Sequence, residues 1–452
     1  MRRTGKFAGV FALGLSFLTG TVAGAENLGS ALISAYKHSG LLEQNRALLR
    51  AADEDVAATA AALRPVVRYS LGANYSSVTQ DVSTNLGITA NLTLYDNGNA
   101  ALRREVAKEN VLSLREALRT IESNVLLNAV TAYTNVRRDN SIVRLRDNNL
   151  KVVQRELQAS RDRFEVGEIT RTEVAIAEAR VASAQSDLAI ARGNLDRSRE
   201  QYRNAVGEYP SSLDTPPTPP SVPSSQAEAQ AIARTVHPDM KQAQHNVNIA
   251  ELNVQLAEKS LLPVLSGSAS LNVDQDGNDT SSIGINLAGP IYNGGALASS
   301  IRQANARRDA SRAVLHLTRH ALDQSVGIAW SQLEVSSAAL RATDEQIKAF
   351  RVAYEGVREE AELGARTSLD VLNAEQDVFD AEAAKLSAES DRYVGLYSLL
   401  AATGQLSVRH LGLNVATYDP AAYYEAVKNA PTTLVSPQGE QLDRVLSVLG
   451  KK

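Results

Sequence analysis

Two rhythms of apolar and polar positions alternate along this chain. Leu114, Leu118, Ile121, Val125, Ala129, Ala132 and Val136 step by threes and fours, and Val143, Leu150 and Leu157 continue the stripe at sevens. That is the period of a helix. Neither Pro nor Gly interrupts it between Gly98 and about Ser160, so at 1.5 Å per residue it predicts a rod on the order of 90 Å long. After Gly167 the spacing becomes stricter: Val174, Ala177, Val181, Ala184, Leu188, Ala191 and Leu195 form a coiled-coil seam of mostly small residues. Leu372, Phe379, Leu386, Tyr393 and Leu400 mark a parallel stripe after Gly364. Chain reversal at Gly167 and Gly364 would fold each long helix back on its successor.

The second rhythm has period two. Val67, Tyr69, Leu71, Ala73 and Tyr75 alternate with Arg68, Ser70, Gly72 and Asn74, and Leu86, Ile88, Ala90, Leu92 and Leu94 alternate with Gly87, Thr89, Asn91 and Thr93. Leu265, Ala269, Leu271 and Val273, then Ile283, Ile285 and Leu287, repeat the pattern later. Asp81 to Asn85 and Asp274 to Ser281 read as polar turns between the strands. About ten residues of alternation spans a bilayer as a tilted barrel strand, and a half-buried soluble sheet alternates equally well. Four strands cannot close a barrel, and open edges in lipid would leave backbone groups unsatisfied. If the strands span a membrane, several copies must pool them.

The elements come twice. Leu63-Arg64-Pro65-Val66 recurs as Leu261-Leu262-Pro263-Val264 at an offset of 198 residues. Tyr95-Asp96-Asn97-Gly98 recurs as Tyr292-Asn293-Gly294-Gly295, and Glu165-Val166-Gly167 as Glu362-Leu363-Gly364, both at 197. A register kept that long marks an internal duplication. It divides the chain into a first repeat over 26–210 (helix, two strands, long helix, helix), a Pro-rich linker over 211–226, a second repeat over 227–406 and a tail over 407–452.

Composition narrows the class. Aromatics are 5% of the 452 residues, as in extended helices rather than an ordinary globular core. The formal charge of −4 gives no electrostatic footprint for nucleic acid. Without cysteine there are no disulfides, thiolate metal sites or thiol nucleophiles. Arg2, Arg3 and Lys6 precede an apolar run ending near Leu18 and then Ala23-Gly24-Ala25, the layout of a signal peptide over 1–25 cleaved before Glu26. No phosphate loop or nucleophile elbow is present, so the chain reads as a non-enzyme without cofactor. His316 and His320, four apart, lack the interposed acid of a zinc motif. Asp274-Gln275-Asp276-Gly277 has its Gly misplaced for a calcium loop, with Ile285 where a bidentate acid belongs.

Signal peptide, duplicated units and the glycine junctions together resemble the TolC family of outer-membrane efflux and secretion channels over nearly the whole mature chain. The resemblance implies an α+β membrane protein. Three chains would share a 12-stranded β-barrel, four strands each, continued by a long α-helical coiled-coil tunnel. It also implies a homotrimer in outer-membrane lipid with its tunnel in the periplasm. The hairpin tips Val166, Gly167, Leu363 and Gly364 would dock onto a periplasmic adaptor and an inner-membrane RND or ABC transporter. Residue by residue, Arg366 takes the basic position of the family's periplasmic gate, with Thr172 and Glu173 as its partners. Asp370 takes a pore-lining acidic position, Asn373 stands where a second acidic ring would be, and Ala361 where an aromatic gate residue would be. An acid such as Asp370 also suits the first turn of any helix. The alternative is a periplasmic or surface coiled-coil scaffold whose strands form a small soluble sheet.

Overall fold

The computed structural model of the chain describes residues 26–78, 80–429 and 432; the expected signal peptide and most of the tail beyond 429 lie outside the described residues. Helices α1 (Leu28–His38) and α2 (Gly40–Ala61) lead into strands β1 (Val66–Ser76) and β2 (Asp81–Tyr95). The long helix α3 (Asn99–Glu165) and its return α4 (Arg171–Val206) complete the first half. The second half repeats the order as α5 (Gln226–Val236), α6 (Pro238–Lys259), β3 (Val264–Asp274), β4 (Asp279–Ala288), α7 (Ala296–Glu362) and α8 (Ser368–Ala402), and α9 (Pro420–Val427) follows. Both long helices have 67 residues, which makes rods of about 100 Å.

Three local expectations change, the first being the turn expected over Asp274 to Ser281, which shrinks to 275–278 because Asp279, Thr280 and Ser281 pair with Val273, Asn272 and Leu271. The single helix expected before each strand pair is two helices, because Ser39 and His237 adopt extended backbone and cap new helices. Asp81 to Asn85 belongs to strand β2, not to a turn, since Ser83, Thr84 and Asn85 pair with Asn74, Ala73 and Gly72. Polar side chains did not stop the ladder because pairing is made by the backbone.

The sheet is antiparallel in the order β1-β2-β3-β4, so β1 and β4 are its edges. Directly paired residues share a face. Tyr69 pairs with Ile88 and Ile88 with Leu271; Ala90 pairs with Ala269 and Ala269 with Ile283. One face is therefore apolar across all four strands, while Arg68, Thr89, Ser270 and Ser282 share the other. A bulge at Leu94 breaks the register and brings Tyr95 opposite Leu265. No described part of the chain covers the apolar face: Ile283 is 90% exposed, Tyr69 85% and Leu71 77%.

The strand-to-helix junctions explain the recurring Tyr-Asp-Asn-Gly signature. Asn97 and Gly98 take positive φ, and the Asp96 carboxylate accepts from the Gly98 and Ala100 amides at 3.0 and 2.6 Å. That caps α3 as it leaves the sheet. Gly294 and Gly295 repeat the left-handed turn, with Asn293 accepting from the Leu297 amide.

The main core lies where the short helices cross the rods. Tyr133 is fully buried and donates to the carbonyls of Glu26 and Asp214 at 2.9 and 2.8 Å, tying the chain's first described residue and the linker to α3. The buried Tyr202 of α4 donates to the Glu26 carboxylate.

Candidate functional site: the hairpin tips

Toward the tips, α4 packs on α3, α3 on α8 and α8 on α7, so each return helix closes a hairpin and the two hairpins touch through α3 and α8. Both tip turns are built alike. The Gly167 amide donates to Phe164 O and the Glu168 amide to Arg163 O; Gly364 and Ala365 donate in the same pattern to Ala361 O and Glu360 O. These paired bonds end a helix on a residue with positive φ, 82° at Gly167 and 79° at Gly364. Glycine is needed because a Cβ strains that conformation. Each turn holds an apolar side chain out to solvent, Val166 at 71% exposure and Leu363 at 86%.

The next residues restart the helices through capping boxes. The Thr170 hydroxyl accepts from the Glu173 amide while the Glu173 carboxylate accepts from the Thr170 amide. Thr367 and Asp370 do the same for α8, with the Asp370 carboxylate 3.0 Å from the Thr367 amide and 2.9 Å from its hydroxyl. These bonds from Thr367 hold the Asp370 carboxyl below its usual range.

The expected gate residues are thus placed as follows. Arg366 pairs with Glu360 of its own hairpin at 2.8 Å, and its hydrogen bond to that carboxylate, with the opposite charge beside it, raises its pKa. Glu173 serves its own cap, so within one chain Arg366 and Glu173 are not bonded to each other. Thr172 lies exposed in the first turn of α4. Asn373 accepts a hydrogen bond from Arg180 of α4 and so joins the two hairpins. Ala361 lies at the end of α7, where its carbonyl accepts from Gly364.

Further polar links run up the inter-hairpin seam. Arg163 donates to Ser368 at 3.0 Å, Asn149 to Gln376 at 3.1 Å, and Arg146 pairs with Asp380 at 2.9 Å. Arg163, Arg180 and Glu360 escaped the sequence reading because their partners lie on other helices or across a turn. The caps did carry a signal: Thr170 and Glu173 recur as Thr367 and Asp370 at the repeat offset of 197. A threonine followed three residues later by an acid marks a capping box.

The comparisons with known proteins bear on the family and the fold of the whole chain. The family model described as outer membrane efflux protein matches residues 32–208 and 230–405, one block in each half of the chain. Outer membrane efflux protein BepC of Brucella suis is 36% identical over 432 residues, covering 93% of this chain and 95% of BepC. The alkaline protease secretion protein AprF of Pseudomonas aeruginosa is 27% identical, covering 71% of this chain and 72% of AprF. The Campylobacter jejuni CmeC outer membrane channel has a similar fold, with a TM-score of 0.76 at 15% identity and 90% of each chain covered. Duplicated rods, a sheet with an uncovered apolar face, and a family match in both halves identify this chain as a member of the outer membrane efflux protein family, in the company of TolC.

Proposed function

We propose that this protein is a passive, trimeric exit duct, the outer-membrane channel of a tripartite efflux pump or a type I secretion system, gated at its periplasmic tip. As a member of its family it lies in the outer membrane, with its helical body in the periplasm. The observation that carries the reading is the sheet: one apolar face exposed on all four strands, one polar face, and two edges without a partner strand among the described residues. Lipid suits the first face, an aqueous lumen suits the second, and only other copies can satisfy the edges. Three copies close a barrel of twelve strands. A soluble scaffold would leave Tyr69, Leu71 and Ile283 in water.

The helices support the same assembly. On α7, Val314, Ala321, Ile328 and Val335 are exposed at intervals of seven. On α4, Ala175, Ala179, Ala182, Ser186, Ala189 and Gly193 form an exposed stripe beside the buried one. Small side chains facing an apolar heptad stripe allow two helices to approach closely, as in a coiled coil. The α4 of one copy would pack on the α7 of the next and continue the barrel as a tunnel.

The tips, with Val166, Gly167, Leu363 and Gly364, are the surface for a periplasmic adaptor and through it an RND or ABC transporter. Around the axis, Arg366, Thr172 and Glu173 would form links between hairpins, and Asp370 a ring of carboxylates with Asn373 one turn further in. In this reading the chain performs no catalysis and takes no cofactor, and drives nothing itself. The divisions at 26–210, 211–226, 227–406 and 407–452 belong to the same proposal.

The test uses the absence of native cysteine. With Ser70→Cys and Ser282→Cys, on opposite edge strands about 14 Å apart in one sheet, a bifunctional thiol crosslinker shorter than that span joins different copies rather than the two strands of one. A ladder ending at three chains is expected in purified outer membranes. A ladder ending elsewhere, or a protein that fractionates as soluble, overturns the reading.

A further inference from the structure

In each half of the chain the return helix comes back up the rod and ends against the start of the helix that leads to the sheet. In the first half, α4 ends at Gly207, whose left-handed backbone packs on the His38 ring, and Ser39 caps α2. His38 itself is exposed. In the second half the corresponding place is taken by a buried histidine. His237 is 8% exposed and serves three helices at once. Its amide donates to Ala233 O and closes α5, and its Nδ1 accepts from the Asp239 amide at 3.1 Å and caps α6. The Ala401 carbonyl, in the last turn of α8, faces its ring and favours the charged imidazole. With Nδ1 accepting, the proton resides on Nε2. The fit is tight: at Gly404, which ends α8 with φ of +73°, an added Cβ would lie 2.6 Å from the His237 Cα.

We propose that His237 is an acid-sensitive pin, and that protonating its Nδ1 releases the α6 cap and loosens the joint from which the α7–α8 hairpin descends. The chemistry follows from the acceptor role of Nδ1. A proton there faces the Asp239 N–H and the positive end of α6, where two donors cannot bond. Among the described residues the carboxylate beside it is that of Asp239, 3.8 Å from Nδ1 and already accepting from Thr120 at 2.5 Å. The surrounding groove adds no further charge among the described residues: α3 contributes Thr120, Ser123 and Asn124, α7 contributes Leu322 and Ser325, and α8 contributes Ser398 and Ala401. On α5 the nearby Arg234 is engaged by Asp323 of α7, with Arg319 and His320 beside that pair. Burial accordingly moves the imidazole below its ordinary value of 6.5, against a weaker pull upward from Asp239. A group whose folded pKa is depressed binds its proton more readily when unfolded. The stability it contributes is whole above 6.5 and is lost as pH falls below it. The first joint, capped by a serine, has no such dependence. The joint's chemistry stands whatever the chain conducts.

The test is amide hydrogen exchange on the purified full-length protein, corrected for the intrinsic pH dependence of exchange. Wild type is compared with His237→Asn, which keeps a side-chain acceptor for the cap but cannot be protonated, and with His38→Asn as the control joint. From about pH 7.5 to about pH 5.5, wild type and His38→Asn should lose protection about threefold at the start of α6 and the end of α8, inside the roughly tenfold ceiling set by an imidazole that takes up no proton in the folded state. His237→Asn should keep its protection. Asp239→Asn, which removes the one favourable charge, should deepen the acid loss and supplies a second readout should His237→Asn fail to fold. The same acid loss in His237→Asn as in wild type overturns the proposal, as does an acid loss abolished by His38→Asn or a shallower one in Asp239→Asn.

Discussion

The two ends of this rod solve opposite problems. At the sheet end the large apolar side chains Tyr69, Leu71, Ile283 and Ile285 all stand on one face that no described residue covers, and among the described residues two strand edges lack partner strands. At the tip end every helix terminus is finished locally. Gly167 and Gly364 close the outgoing helices, Thr170 with Glu173 and Thr367 with Asp370 cap the incoming ones, and Arg366 is paired with Glu360. In the proposed reading the sheet is completed by lipid and neighbouring copies, whereas each tip turn is finished within its own hairpin. Charge at the tip is therefore available for exchange: an inter-chain link by Arg366 or Glu173 must compete with a bond already made at home.

The sharpest way to break this comparison is to charge the sheet. Leu71→Arg, on the apolar face, should weaken outer-membrane assembly by about 2–4 kcal/mol if it sits near the bilayer midplane, while Asn74→Arg on the polar face should be tolerated. Heat-modifiability of the assembled protein on gels reads both, and equal tolerance would sink the membrane-facing assignment.

Backbone strain at the tip comes next. Gly364→Val places a β-branched residue at positive φ, a strain of roughly 1–3 kcal/mol confined to the turn. Assembly at the sheet end should survive and export should fail, as scored by drug accumulation or cargo release in a strain lacking the native gene. Normal export with this variant would remove the tips as a docking surface.

A smaller effect separates the caps from the pore. Thr367→Ala should weaken the start of α8 by about 1 kcal/mol through loss of its cap. It should raise amide exchange in the first turn of α8 and leave the first hairpin unchanged. Because the Thr367 bonds hold the Asp370 carboxyl low, the stability from this cap is present at neutral pH and is lost as pH falls through the carboxylate range. A cap insensitive to acid would mean that the Asp370 carboxylate lies elsewhere, free to face the pore.

The subtlest test concerns the exposed charges themselves. Arg366→Ser should raise single-channel conductance in planar bilayers if the arginine also links neighbouring chains. Glu360→Gln should lower conductance, because it frees Arg366 from its own hairpin for that link. Conductance unchanged in both variants would confine Arg366 to its local pair.

Much of this architecture could be read before folding, for definite reasons. A strand's faces alternate residue by residue, so Val67, Tyr69 and Leu71 announce a two-sided sheet with no knowledge of their neighbours. A helix with no Pro or Gly for some sixty residues has nowhere to stop, and α3 runs unbroken; α7 does so too, through Gly327 and Gly356, because an isolated Gly weakens a helix without ending it. The duplication was legible because it was conserved in spacing as well as type, and Thr170 and Thr367 could have been found the same way. Strand length was less legible, since Ser83, Thr84 and Asn85 look like a turn but pair as a ladder.

What the sequence determined by itself is local: period, hairpin reversal at glycines, helix caps, and the requirement that an apolar sheet face find an apolar medium. Only the tertiary structure decided which charges meet. Arg180 reaches Asn373 across 193 positions, Arg163 reaches Ser368 across 205, and His237 serves three helices from one position. Long polar side chains choose partners by distance and burial, and those are set by which helix faces pack together. In a chain this rich in exposed Arg and Glu many pairings satisfy the sequence equally, and only the packing of α3 on α8 and of Gly404 on His237 selects among them.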